Sequence, residues 1–355
     1  MREQLLDPVG TESVAGVVRR LSAIPAQLDA AAELAVRSRR ERSRSGEIAR
    51  ALADGRIIKT FLFRGATHLV TPEDGGAYLA LRAASRMWEL PSWQSHYGLT
   101  PSDWPFLREA VRETLADGPM TRDELGAAVT ARPRFRHLGF AFTDRSWTLL
   151  KPLAWQGEMS FGPPRDGHAT FQRLDTNPRW QGVPDLDEAG LRAVDAYFRA
   201  YGPATPDHLH YWLGAGLGAG RKRIQTWITA LGDRLAAVDV EGQSTYIRRE
   251  DLEELAATPA TTTIRLLPGH DQWVLGPGTA DAHVVPPARR TLVSRQANIV
   301  IAGGVVSGTW SLADDEVTVA WFTEAAPPAA ETLDTGVSRL ARILARPLHA
   351  TVHMG

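Results

Sequence analysis

Three polar residues recur at intervals of four in an otherwise apolar stretch, and their side chains could contact a nucleic acid. Thr60, Arg64 and His68 lie within residues 59–70. Side chains an even number of positions apart share one face of a strand, so these three would share a face if strand geometry held throughout. Gly65 predicts the turn of a hairpin between two arms. The structural alternative is that Arg64 and His68 brace the hairpin against its neighbours.

Positive charge is concentrated just before this stretch. Six arginines stand against two glutamates between residues 37 and 50. Such a density is typical of phosphate contact, although a solvated helix end would have a similar composition. A smaller cluster opens a predicted helix at about residue 220, with phosphate contact and ordinary surface exposure equally open. The basic residues in question are Arg37, Arg39, Arg40, Arg42, Arg44, Arg50, Arg221, Lys222 and Arg223.

The composition limits the classes of function. The chain has 355 residues, 43% hydrophobic and 23% charged, with a net charge of −1 and no cysteine. The absence of cysteine excludes disulfides, thiolate nucleophiles and cysteine-bound zinc. A near-neutral chain is unlike a non-specific DNA coat, but segregated charge still permits DNA binding. No apolar run approaches the ~20 residues of a spanning helix, so we expect a cytoplasmic, nucleoid-associated protein without membrane contact.

The hairpin follows a basic helix, which is how a winged-helix unit ends. Two further stretches repeat the theme Gly-Pro-x-Thr-x-x-x-Leu, at residues 118–125 and 202–209. Thr121 and Thr205 are predicted helix N-caps after a Gly-Pro break. The second unit is expected to close with a ribbon over 148–161 and the third with a ribbon over 235–247. Three tandem units of this kind are the economical interpretation.

The pattern changes after about residue 261. Short apolar runs at 263–267, 273–275, 298–301, 305–310 and 317–322 predict a small barrel or curled sheet, and a helix is expected near 331–344. The fold class is therefore α+β. The predicted domains are three winged-helix units at 1–100, 101–185 and 186–260, followed by a β-barrel-like domain at 261–355.

Several stretches together resemble the AlkZ-type winged-helix DNA glycosylases, bacterial enzymes that excise alkylated bases. The resemblance covers nearly the whole chain. It rests on residues 17–39, 55–69, 267–276 and 304–310. It implies three winged helices around a C-terminal β-barrel, a C-shaped channel for duplex DNA, and no metal or cofactor. We expect a monomer acting on duplex DNA that contains alkylated purines.

The family's catalytic motif, Gln-x-Gln, is only partly present. Without gaps it falls on Pro25-Ala26-Gln27, so Pro25 replaces the first glutamine and Gln27 is the retained member. A branch of the family has a motif ending in aspartate, which Gln27-Leu28-Asp29 would match. The structural alternatives are that Gln27 is an exposed turn residue and that Asp29 is the N-cap of a helix. Thr60, His270 and Asp271 are expected to support the site without contacting the substrate.

Glutamine chemistry restricts the substrate. An amide cannot remove a proton, but it can orient water and present its carbonyl dipole to developing positive charge. An activated leaving group is then needed, and a cationic N7- or N3-alkylpurine provides one. We therefore expect a monofunctional glycosylase for such bases, including bulky natural-product adducts or crosslinks. The alternatives are a non-enzymatic DNA-binding regulator or damage sensor, and an interaction protein that binds no DNA.

Overall fold

The computed structural model describes all 355 residues, in an α+β fold. The chain divides into two compact units. The first comprises residues 1–48, 195–212 and 231–355, and the second comprises residues 49–194 and 213–230. No helix combines the length and apolar character needed to span a membrane. The predicted division into four consecutive domains stays a prediction.

Sixteen α-helices are present, most of them short. They are α1 Val14–Arg20, α2 Asp29–Arg37, α3 Glu47–Ala53, α4 Pro72–Ala83, α5 Pro91–Tyr97, α6 Trp104–Thr114, α7 Arg122–Thr130, α8 Gly139–Thr143, α9 Leu150–Trp155, α10 Leu186–Tyr201, α11 Pro206–Leu209, α12 Arg221–Leu231, α13 Leu252–Ala257, α14 Gln272–Leu275, α15 Arg290–Ser294 and α16 Ala330–Leu344.

Thirteen strands complete the secondary structure. They are β1 Ile24–Pro25, β2 Ile58–Phe61, β3 Thr67–Val70, β4 Met120–Thr121, β5 Met159–Arg165, β6 His168–Arg173, β7 Leu235–Val240, β8 Gln243–Arg248, β9 Ile264–Leu267, β10 Ile299–Ala302, β11 Val305–Ala313, β12 Glu316–Trp321 and β13 His349–Met354.

The first unit contains two sheets. One is the β7–β8 hairpin, which confirms the ribbon predicted for residues 235–247. The other has five strands in the order β13-β12-β11-β10-β9, in which only the β12–β13 pair is parallel. Its first and last strands are not paired with each other, so of the two predicted forms, a barrel or a curled sheet, the strands form an open sheet and no closed barrel. Helix α16, with a strong apolar stripe, covers one face and buries Leu333, Val337 and Leu340 against it.

The second unit is built around strands in the order β3-β2-β5-β6-β4. The β2–β3 hairpin is the one expected around Gly65, with Thr60 directly opposite His68. An aromatic cluster packs on this sheet, where the centre of the Phe161 ring lies 5.0 Å from the ring centres of both Phe61 and Phe171. This packing fixes the hairpin to the rest of its own unit.

Local capping follows the sequence closely. Thr121 forms a capping box with Glu124, and the Thr205 side chain accepts a hydrogen bond from the His208 amide with Pro206 at the first helical position.

Two predicted strands are helices instead. The ribbon expected over 148–161 begins as α9, and its hairpin turns later, at Asp166 and Gly167. The run 273–275 is α14, because the Asp271 carboxylate caps it.

Candidate active site

A buried ion pair joins the end of helix α2 to the start of α14 within the first unit. Both side chains, Arg39 and Asp271, are fully buried. Arg39 donates from Nη1 to Asp271 Oδ2 at 2.8 Å and from Nη2 to Oδ1 at 2.6 Å. It also donates to the Ala35 carbonyl oxygen, one helical turn earlier, at 2.9 Å. This two-pronged geometry is specific to arginine and fixes the direction in which the end of α2 faces.

A second buried group of hydrogen bonds holds the segment between α1 and α2. The Tyr201 hydroxyl lies 2.8 Å from the Leu21 carbonyl oxygen and 3.3 Å from Oε1 of Gln272. The Gln272 amide nitrogen donates to the Ala23 carbonyl oxygen. Two backbone carbonyls just before Gln27 are thus tied to side chains more than 170 residues away. The turn that follows is held by a rigid frame.

Gln27 lies at a shallow pocket formed by two loops of this unit. One wall consists of residues 24–28 and the near side of α2, and the other of residues 268–272 with Gln296. Gln27 and the next residue, Leu28, are exposed, while the preceding residue, Ala26, is buried. The amide of Gln27 is therefore accessible to solvent at the pocket. Because a glutamine amide both donates and accepts, it can hold a water there.

Asp29 does not cap α2 in the way the sequence suggested. The N-cap residue is Leu28, which makes no side-chain capping bond, and Asp29 is the first helical residue. The carboxylate of Glu33 accepts from the Gly46 amide at 3.0 Å instead of completing a capping box. Asp29 is exposed and is not among the residues that line the pocket. Its negative charge stabilises the first turn of the helix through the helix dipole.

The arginine-rich segment divides into structural and exposed residues. Arg39 is fully buried and Arg37, which donates to Ser43 Oγ at 3.2 Å, is nearly so. Arg40 donates to the Glu12 carbonyl oxygen and pairs with Glu47. Arg39 therefore offers no accessible surface to a phosphate and Arg37 offers little, although both were expected to contact DNA.

The remaining arginines of that segment are accessible. Arg42, Arg44 and Arg50 are exposed. In the second unit, Arg221, Lys222 and Arg223 are exposed at the start of α12. That helix is held to its own unit by Trp227, whose indole nitrogen donates to Asp187 at 3.0 Å.

The three polar residues of the hairpin differ in their exposure to solvent. Thr60 and His68 are opposite each other and buried, whereas Arg64 lies in the turn with a left-handed backbone (φ 54°) and is exposed. The His68 Nδ1 atom contacts the Ala66 carbonyl oxygen at 3.0 Å, and its ring packs 5.2 Å from that of Phe63. Only Thr60 and His68 share a face, and His68 is buried, so in this conformation it offers almost no surface to DNA.

Burial also changes the acid–base behaviour of this histidine. Desolvation lowers the pKa of His68 to about 4, with the nearby Arg64 charge adding to the effect. His68 is therefore neutral near pH 7 and serves as a packed, hydrogen-bonded part of the hairpin.

His270 and Asp271 are adjacent in sequence but have different surroundings. The Asp271 carboxylate accepts hydrogen bonds from Arg39 and, at 2.8 Å, from the Trp273 amide. His270 is half-buried, has a left-handed backbone (φ 58°) and lines the pocket of Gln27. No three histidine, aspartate or glutamate side chains converge closely enough to hold a metal ion. The expected supporting role of Asp271 remains consistent with its contacts, as an anchor for Arg39.

Sequence reasoning did not identify Tyr201, Gln272 or Gln296. Their contribution depends on chain segments that are far apart in sequence and carry no local motif. The Gly-His-Asp-Gln stretch at 269–272 was the one available signal, because polar residues there interrupt two apolar runs.

Comparisons with known proteins converge on one group. The profile of the family described as DNA glycosylase AlkZ-like matches residues 18–343. The chain is 37% identical to an interstrand DNA cross-link repair glycosylase of Streptomyces sahachiroi, over 96% of this chain and 95% of that protein. It also superimposes on the solved structure of Streptomyces sahachiroi DNA glycosylase AlkZ with a TM-score of 0.94. That alignment has 35% identity and covers 99% of this chain and 97% of the other.

Proposed function

The chain belongs to the AlkZ-like DNA glycosylase family, and from that premise we propose that it hydrolyses the N-glycosidic bond of cationic N7- or N3-alkylpurines in duplex DNA. The observation that carries the proposal is Gln27, exposed at a pocket whose two walls are fixed by buried hydrogen bonds. The enzyme is proposed to be monofunctional, so its products are a free base and an abasic site.

The chemistry of the pocket suits an already activated bond. Gln27 accepts a hydrogen bond from water, aims it at the sugar C1′ and presents its carbonyl dipole to the positive charge that develops there. Such an effect supplies about 10²–10³-fold in rate. A cationic purine supplies the rest, because it departs as a neutral base and needs no proton from the protein.

Bulky adducts and crosslinks are included in the proposed substrates. The pocket is too small to enclose a base, unlike the snug chamber into which a flipped base is usually inserted. A large adduct would not have to leave the helix completely to bring its C1′ to such a surface. The relative from Streptomyces sahachiroi, named an interstrand DNA cross-link repair glycosylase, is in keeping with this substrate class.

Duplex DNA is proposed to be held through phosphate contacts. The accessible cations are Arg42, Arg44, Arg50, Arg64, Arg221, Lys222 and Arg223. Three winged-helix units remain our proposal for how the helices and hairpins are grouped, supported by the matching capped turns at Thr121 and Thr205. We further propose that the protein acts as a monomer.

The test uses duplexes that carry N7-methylguanine or a bulky N7 adduct, under single-turnover conditions. We expect base release by the wild type and a loss of roughly 10²–10³-fold in Gln27→Ala, with unchanged DNA affinity. Asp29→Ala is measured in parallel, because Asp29 is exposed two residues away and is the carboxylate that would act as a base in the alternative motif Gln27-Leu28-Asp29. Binding without base release by the wild type, on every adduct, would refute the glycosylase assignment and favour a damage sensor.

A further inference from the structure

The pocket of Gln27 lacks the first glutamine of the family motif, so the other polar side chains of the pocket are candidates for its role. Position 25 is a proline, which has neither a polar side chain nor a backbone N–H. One glutamine alone offers few bonds to orient a water molecule that must point a lone pair at C1′. The remaining wall of the pocket contains four polar side chains: His270, Asp271, Gln272 and Gln296.

Two of these four side chains are already committed. The Asp271 carboxylate is fully buried and accepts two bonds from Arg39 and one from the Trp273 amide. The Gln272 amide is also buried, and both of its ends are engaged, with Ala23 and Tyr201. Both side chains are buried and already hydrogen-bonded within the protein.

His270 and Gln296 are the two polar side chains of this wall that are not buried. The His270 Nε2 atom lies 3.4 Å from the Ser294 carbonyl oxygen. A carbonyl oxygen can only accept, so Nε2 carries the proton in this contact and Nδ1 keeps its lone pair. Gln296 is exposed and its side chain makes no hydrogen bond. Together with Gln27, the pocket therefore has two free amides and one imidazole acceptor.

The backbone holds these two residues in unusual conformations. His270 and Gln296 both have left-handed backbones, with φ of 58° and 70°. Their loops approach so closely that a Cβ at Gly269 would lie 2.1 Å from the Gln296 carbonyl oxygen. Residues other than glycine seldom adopt this region, and those that do are often found at functional sites. The close approach fixes the two side chains on one wall.

We propose that His270 and Gln296 bind the attacking water together with Gln27, and so take the place of the glutamine missing at position 25. The inference rests on the proposed function. The water oxygen forms a bond to C1′ while the C1′–N bond breaks, and its electron pair stays on the purine nitrogen, which becomes neutral. The proton released by the water passes to His270 Nδ1 and from there to solvent. Gln27 and Gln296 orient the water and His270 is its proton acceptor.

The variants are chosen to respect the left-handed backbone. Asparagine and glycine tolerate that conformation, so His270→Asn removes the imidazole and Gln296→Gly removes the amide without added backbone strain. Asp314→Gly is the matched control, since Asp314 has φ 49° in the β11–β12 turn and is exposed. Single-turnover release of N7-methylguanine and affinity for undamaged duplex are measured for each variant.

We expect His270→Asn and Gln296→Gly each to slow base release on the order of 100-fold without changing DNA affinity, and Asp314→Gly to match the wild type. The decisive variant is Pro25→Gln, which restores the family motif. In that background the loss of rate caused by Gln296→Gly should shrink by roughly tenfold or more, because the new glutamine takes over the hydrogen bond to the water.

Three outcomes distinguish failure of the proposed water-binding role of His270 and Gln296 from failure of the proposed glycosylase function. Wild-type rates in both His270→Asn and Gln296→Gly overturn the inference and leave the glycosylase assignment standing. An equal loss from Gln296→Gly in both backgrounds, accompanied by a lower melting temperature, shows a structural role and also overturns it. A wild type that releases no base from any adduct removes the proposed function itself.

Discussion

At the scale of single residues, the molecule separates those that hold the site from those that face solvent. Arg39 has the charge of a DNA-binding residue but uses it entirely in the pair with Asp271. Three positions away in sequence, Arg42 is exposed. The same residue type in one arginine-rich run therefore serves an internal ion pair in one case and an accessible charge in the other. Burial decides between the two, and the composition of the run does not reveal it.

This pair yields a prediction for stability. Asp271→Asn leaves the Arg39 guanidinium buried without its counter-charge, and we expect a loss of about 3–5 kcal/mol in the free energy of unfolding. Urea denaturation followed by circular dichroism measures it. Glu324→Gln is the control, because its bridge to Arg289 is open to water and the midpoint should hardly move. Equal midpoints for Asp271→Asn and the wild type would contradict the role given to the pair.

At the scale of elements, the β2–β3 hairpin carries a buried titratable group. The pKa of His68 in the folded protein is about 4, below its ordinary value of 6.5. A depressed histidine pKa means that the unfolded chain binds the extra proton first. The stability that neutral His68 contributes is therefore complete above pH 6.5 and is lost as the pH falls toward 4.

We expect this loss to be on the order of 3 kcal/mol across that range. His68→Gln removes the titration while keeping a polar side chain, so the variant's unfolding free energy should depend less steeply on pH between 6.5 and 4. Comparing the two proteins at each pH cancels the contribution of the carboxylates they share. Parallel curves for the variant and the wild type would show that His68 does not titrate with folding.

Helices and strands with local sequence signals were predictable, whereas those whose conformation depends on contacts with distant residues were not. The starts of the helices after Thr121 and Thr205 follow from capping interactions between residues only three positions apart. The apolar stretch 150–155 fits a buried helix as well as a strand, since periodicity cannot separate them over so few residues. Pro152 lies in the first turn of α9, where a helix tolerates proline.

The candidate site was predictable only in part. Gln27 and its turn follow from the resemblance to a family motif, and His270 and Asp271 are expected from the same resemblance as supporting residues. Gln296 and the closeness of the two walls required the fold to bring residues 24–28 and 268–296 together. The open sheet has the same explanation: four of its five strands and the covering helix are visible in the sequence, but whether the first and last strands meet depends on twist and packing.

At the scale of the whole molecule, near-neutral net charge coexists with exposed clusters of positive charge. The net charge is −1, yet Arg42, Arg44 and Lys222 are all accessible. Phosphate contact releases counterions, so each contact steepens the dependence of affinity on salt. Binding should therefore weaken sharply with salt even though the protein as a whole is not basic.

Removing these charges tests the proposed phosphate contacts. The triple variant Arg42→Ala, Arg44→Ala, Lys222→Ala should flatten the plot of log affinity against log salt by about 0.9 for each phosphate that is no longer neutralised. Fluorescence anisotropy on undamaged duplex gives the slope. Arg132→Ala is the control, since Arg132 already pairs with Glu113 at the surface. An unchanged slope in the triple variant would place the DNA elsewhere.

The pairing of Arg39 with Asp271 has a consequence for the newborn protein. The two residues are separated by 232 positions in the chain. A ribosome adding about 5–20 residues each second therefore needs on the order of 10–50 s between making one and making the other. Throughout that interval the Gln27 turn exists without the loop that forms its second wall. A truncated or stalled polypeptide thus carries the motif but no finished pocket, and base excision begins only once synthesis is nearly complete.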